Sequence, residues 1–141
     1  MNGFTQREIT IRTAGRELRE VTREVAEVVA GSDISTGLCQ VFIRHTSASL
    51  LISENADPDV LVDLETFFSS LVPDGDARYV HTAEGPDDMS AHVRSALTQT
   101  DLSIPVTRGR LALGTWQGIY LWEHRHRPHE RRLIVSVFGV E

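Results

Sequence analysis

Residues 102–140, LSIPVTRGRLALGTWQGIYLWEHRHRPHERRLIVSVFGV, decide the fold. Leu102–Thr107 alternates apolar and polar residues and reads as a strand, Arg108-Gly109 as a tight turn, and Arg110–Thr115 as the returning partner. Gln117–Glu123 reads as a further strand, with Gln117, Ile119, Leu121 and Glu123 on one face. A polar loop, His124–Arg131, leads into a last strand, Arg132–Val140. Strands joined by such short connections pair antiparallel.

Upstream of this stretch the pattern mixes strands with helices. Phe4–Arg12 alternates as a half-buried strand, and Glu17–Val21 reads as a second one. Thr22 is placed to cap a short helix whose apolar face is Val25, Val28 and Val29 and whose stop is Gly31. A single longer helix from Arg16 also fits the spacing of Leu18, Val21, Val25 and Val28. The run Leu38–His45, LCQVFIRH, reads as a central strand with Cys39, Val41, Ile43 and His45 on one face. A bend and another strand end at Asn55. Asp57-Pro58 starts a second helix, with Val60, Leu61, Leu64, Phe67, Phe68 and Leu71 at helical spacing, and Pro73-Asp74-Gly75 ends it. Asp87 or Asp88 caps a third helix, whose expected apolar face is Met89, Val93, Ala96 and Leu97. The expectation is a single α+β domain over residues 1–141: a mostly antiparallel sheet packed with about three helices.

The 141 residues are 40% hydrophobic and 24% charged, ordinary values for a globular chain. Net charge is −6, which argues against a nucleic-acid binder. No apolar run reaches the ~20 residues of a membrane span. With no signal-peptide pattern and one cysteine, Cys39, the expected location is cytoplasmic. All fourteen basic residues are arginine. A lysine nucleophile is therefore excluded, and anions must be held by arginine, histidine or backbone N–H groups.

Candidate chemistry gathers on the segment Tyr79–His92, YVHTAEGPDDMSAH. His45, His81 and His92 fall at element boundaries, and three imidazoles with an open fourth position suit zinc or a similar divalent ion. Each taken alone also reads as a hydrogen-bonded boundary or core residue, His45 most of all. Glu84 precedes a Gly-Pro turn and could serve as general base or orient a histidine. One of Asp87 and Asp88 is explained as a helix cap. Glu54-Asn55 reads equally as loop polarity, and Trp116-Gln117 as packing plus an edge hydrogen bond. Glu123, on an otherwise apolar face, needs a partner. Arg132 is the natural one, and could instead hold a phosphate. The loop EHRHRPHERR, with four arginines and three histidines, reads as solvated.

The blocks HTSASLLISENADPDV, YVHTAEGPDDMSAH, IPVTRGRLALGTWQGIYLWEHR and RRLIV resemble the signature blocks of the YjbQ-like family, in order and spacing, from about Leu38 to the C-terminus. The resemblance implies a compact α+β domain, a homotrimer, and a polar site made of His45, Glu54, Asn55, His81, Glu84, Asp88, His92, Trp116, Gln117, Glu123 and Arg132. It also implies a weak, secondary thiamine-phosphate synthase activity. Many members read Asp-Asn where this chain has Asp87-Asp88. The expectation is a small metal-associated enzyme acting on a phosphorylated molecule: His45, His81 and His92 around a divalent ion, Glu54, Asn55, Glu84 and Asp88 in catalysis, and Trp116, Gln117, Glu123 and Arg132 toward substrate. The rival expectation is a non-catalytic binding protein for an anionic metabolite or metal.

Overall fold

The computed structural model describes residues 1–141. Its strands are β1 (Asn2–Arg12), β2 (Glu17–Glu20), β3 (Thr36–Ile43), β4 (Ala48–Glu54), β5 (Asp101–Thr107), β6 (Arg110–Leu111), β7 (Gln117–Glu123) and β8 (Glu130–Val140). The helices are α1 (Thr22–Ala30), α2 (Pro58–Leu71) and α3 (Asp88–Leu97). Five strands form one sheet in the order β1-β8-β3-β5-β6, and three form another in the order β2-β7-β4. Every ladder is antiparallel. The fold is a single α+β unit, as the alternation predicts.

One core joins the two sheets. Cys39, Val41 and Ile43 of β3 and Leu133, Val135 and Val137 of β8 meet Leu50 of β4 and Ile119 and Leu121 of β7. Val25, Val28 and Val29 of α1 belong to the same cluster. The opposite parity of the large sheet faces outward. There Phe4, Phe138, Leu38 and Pro105 stand opposite one another across four strands. Phe4 is 64% exposed, and Phe138 and Leu38 are each 41% exposed. Beside this row Gly3, Gly139 and Gly37 line up across β1, β8 and β3. A Cβ on Gly37 would collide with the Phe138 carbonyl, so the backbones approach more closely there than side chains permit.

Several local expectations hold. Asp57 caps α2, its carboxylate accepting from the Asp59 N–H at 2.9 Å, with Pro58 in the first turn. The β5–β6 turn uses two left-handed residues, Arg108 at φ 54° and Gly109 at φ 75°, as a two-residue hairpin of that twist requires.

Of the two readings of residues 16–30, the strand followed by a short helix holds: Glu17–Glu20 pairs with β7, and α1 begins at Thr22. Other expectations are corrected. Thr22 is not the cap; its hydroxyl accepts from the Ile119 N–H instead. β6 is two residues long rather than six. The Ala112 N–H reaches the Pro105 carbonyl, but Pro105 has no N–H to return, and the ladder stops. The face of α3 is inverted. Asp88, Ser90, Ala91, Arg94 and Ser95 are buried, whereas Leu97 is 56% exposed. Much of the polar face is paired: Ser90 donates to Asp74, Arg94 Nη2 to Glu65, and Ser95 to the Ala48 carbonyl, while Arg94 Nε and Nη1 have no hydrogen-bond partner and lie near the Phe68 and Trp122 rings.

Candidate metal centre

The expected solvated loop after β7 is instead half of the site's frame. His124, Arg125 and Arg131 are buried. Glu123 is paired with Arg131, not Arg132: Arg131 Nε donates to Glu123 Oε1 at 2.8 Å, and its Nη2 donates to Oε2. Strand parity explains the difference. Leu133, Val135 and Val137 point inward, so Arg131 does too, and Arg132 points out to Glu8 at 3.0 Å. Thr13 and the Arg125 N–H complete the shell around Glu123. Burial opposes ionisation of Glu123, but Arg131 and Thr13 outweigh it and hold the carboxyl below its ordinary range.

Asp88, the first residue of α3, is the centre of the candidate site. Its Oδ2 lies 2.7 Å from His81 Nε2 and 3.2 Å from His92 Nε2. Its Oδ1 accepts from Arg125 Nη1 at 2.8 Å. His81 comes from the irregular segment before the helix, and His92 from one turn further along α3, four residues from Asp88 on the same face. Burial opposes ionisation of Asp88, but His81, His92 and Arg125 outweigh it and lower its pKa. The three ligand atoms lie within 4.8 Å of one another.

Arg125 is the residue the sequence does not mark. Besides Asp88 it bonds Asp87 Oδ2 and the Glu84 carbonyl, tying the start of α3 to the end of β7. Asp87 precedes α3 but its side chain does not cap it, because the carboxylate is taken by Arg125 and the His126 N–H. The Glu84 side chain is exposed nearby and makes no hydrogen bond within the chain.

The other candidates fall elsewhere. His45 stands outside the His81–Asp88–His92 group, its Nε2 accepting from the Arg132 N–H at 2.8 Å. That bond occupies the lone pair a metal would use. Burial and the Arg131 guanidinium lower its pKa, disfavouring the charged ring. Glu54 pairs in register with Gln117 at the far end of β7 from Glu123. Asn55 donates to Glu20, its N–H meets the Trp116 carbonyl, and Trp116 is 62% exposed there.

A two-sheet α+β fold with a His/Asp cluster at a helix start defines the class. The pattern of the family described as "UPF0047 protein YjbQ-like" matches residues 7–140. The chain belongs to that family. A UPF0047 protein of Synechocystis is 58% identical over 131 residues, covering 93% of this chain and 89% of its own. YjbQ of Salmonella typhimurium is 43% identical, covering 95% and 97%. Among solved structures, a YbjQ-like protein of unknown function from Sulfolobus solfataricus superposes with a TM-score of 0.89 at 25% identity, covering 99% of both chains. A YjbQ/UPF0047 protein of Clostridium acetobutylicum gives 0.86 at 34% identity, covering 93% and 98%.

Proposed function

We propose that His81, Asp88 and His92 hold a divalent metal, zinc by preference, and that the protein is a small metal-dependent enzyme. The observation that carries this is the tautomer of His92. Its Nδ1 is 2.9 Å from the Thr46 carbonyl, which can only accept, so Nδ1 bears the proton. In the neutral ring, Nε2 then aims a lone pair at the Asp88 carboxylate 3.2 Å away. Two lone pairs face each other unless a proton or a cation lies between them. Tetrahedral zinc with bonds near 2.0–2.1 Å separates its ligand atoms by about 3.3 Å, close to that spacing. A backbone carbonyl behind one histidine and an arginine behind the carboxylate are the usual outer supports of such ligands.

When bound, the metal would supply Lewis-acid activation of a ligand at its open position. Arg125 orients Asp88, the Thr46 carbonyl orients His92, and Glu84, an exposed carboxylate, would move a proton. A phosphorylated substrate, with the weak thiamine-phosphate synthase activity as one case, would reach the metal through its own oxygens, since Arg132 is engaged by Glu8. The non-catalytic reading is favoured by one observation: nothing in the chain fixes the Glu84 side chain. Glu84→Gln separates the two. Lost turnover at unchanged ligand affinity supports the enzyme. A homotrimer and a cytoplasmic setting complete the proposal; the exposed Phe4–Phe138–Leu38 row and the buried, unpaired Cys39 support them.

The test is elemental analysis of untagged protein. About one zinc per chain, lost in His81→Ala and His92→Ala, is expected. Under about a tenth of an equivalent, with no uptake on adding zinc, overturns the reading.

A further inference from the structure

A cleft of about 430 Å³ opens beside the cluster. It is walled by the segment between α2 and α3, with Gly75, Asp76, Tyr79, His81, Thr82 and Pro86 facing it. A larger cleft of about 530 Å³ lies between α2 and β2, but no histidine lines it. His81 thus belongs both to the ligand cluster and to one wall of the smaller cleft. The size falls within the roughly 300–1,000 Å³ of small-molecule sites.

The walls are pre-set. Gly75 at φ 66° and Gly85 at φ 101° make turns that other residues rarely adopt. The Gly75 N–H donates to the Pro86 carbonyl at 2.9 Å, closing the segment on itself, and the Tyr79 N–H donates to the Asp76 carbonyl at 3.0 Å. The charge on the walls is the informative part. The only carboxylate, Asp76, is engaged by the Arg78 guanidinium at 2.6 Å. No arginine lines the cleft, and the chain has no lysine. What remains is a phenol, a hydroxyl, an imidazole, a proline ring and backbone. An anionic group placed there would face the Asp76 carboxylate, and the Arg78 guanidinium beside it is already committed to that carboxylate. Neutral donors, acceptors and a ring face are all provided for.

We infer that this cleft seats the body of the ligand, and that the body is an uncharged aromatic or heteroaromatic ring with hydrogen-bonding groups, its metal-binding group projecting onto His81, Asp88 and His92. The inference rests on the metal reading above. Any phosphate the ligand carries lies at the metal end, outside the cleft.

The experiment uses zinc-loaded full-length protein and hydroxamates as probes. Zinc affinity is first measured by competition with a chromophoric chelator. Calorimetry then compares acetohydroxamate, benzohydroxamate and 4-carboxybenzohydroxamate. Benzohydroxamate is expected to bind at least about tenfold more tightly than acetohydroxamate, or 1.4 kcal/mol, and the added carboxylate to remove that gain. Ala77, exposed on the cleft wall, provides the control. Ala77→Trp should abolish the advantage of the ring while leaving zinc and acetohydroxamate binding unchanged. Equal binding of the three probes, tighter binding of the carboxylate, or an Ala77→Trp variant with the advantage intact overturns the inference while the metal site stands. Failure of zinc to bind overturns the metal reading and the inference with it.

Discussion

Glu123 and Arg131 are withdrawn from water together, and the cost of exposing one without the other is steep. Arg131→Met should lose about 3–5 kcal/mol by denaturant titration, because it strands a buried carboxylate. Arg132→Met, whose guanidinium is at the surface, should lose under about 1 kcal/mol. That a partner for Glu123 was required is legible in the sequence; which of two adjacent arginines supplies it follows only once the inward parity of Leu133, Val135 and Val137 is applied back to position 131. His124 carries a second residue-scale consequence. Burial, with Arg94, Arg16 and Arg131 around it, pushes its pKa down to about 2. The unfolded chain takes up that proton near pH 6.5. Between those values the unfolded state binds more protons, so stability falls as pH drops below about 6.5, by up to about 1.4 kcal/mol per unit. His124→Gln, which can keep the contact with Ser49, should flatten that slope between pH 6.5 and 5 in thermal or denaturant melts.

Helix α3 shows why a helix can be read and its face misread. The 3.6-residue spacing of Met89, Val93 and Ala96 is real, but burial follows the partners available, and those lie on α2, β4 and the segment after α2. None of these long-range contacts leaves a local mark. The same holds for Arg125, 37 residues from Asp88 and hidden in a loop that composition assigns to solvent. Arg125→Met should weaken zinc binding about 10–100-fold, with far-UV circular dichroism unchanged, as expected for the support behind a ligand. In the large sheet, Gly37→Ala should cost upwards of about 2 kcal/mol, since a methyl there meets backbone that cannot swing aside. The equivalent change at Gly31, where a Cβ meets nothing closer than 3.6 Å, should cost little.

At the level of the molecule, the outward row of Phe4, Phe138 and Leu38 is an apolar strip that a lone chain leaves in water. Light scattering should give a mass near three times 15.7 kDa, and Phe138→Glu should reduce it toward one. A measured monomer for the unmodified chain would remove the trimer. The architecture was legible because alternation and turn residues are local. The site was legible in part: His81, Asp88 and His92 meet, whereas His45 spends its lone pair on a backbone N–H. Strand β7 also acts as a ruler. Gln117 and Glu123 mark its ends, and six steps of about 3.3 Å set them roughly 20 Å apart. A metabolite the size of one sugar or one heterocycle cannot touch both ends of a single copy. The Trp116 corner and the histidine corner therefore share one small ligand only across a boundary between chains, and a monomeric variant with zinc still bound would keep the two corners chemically independent.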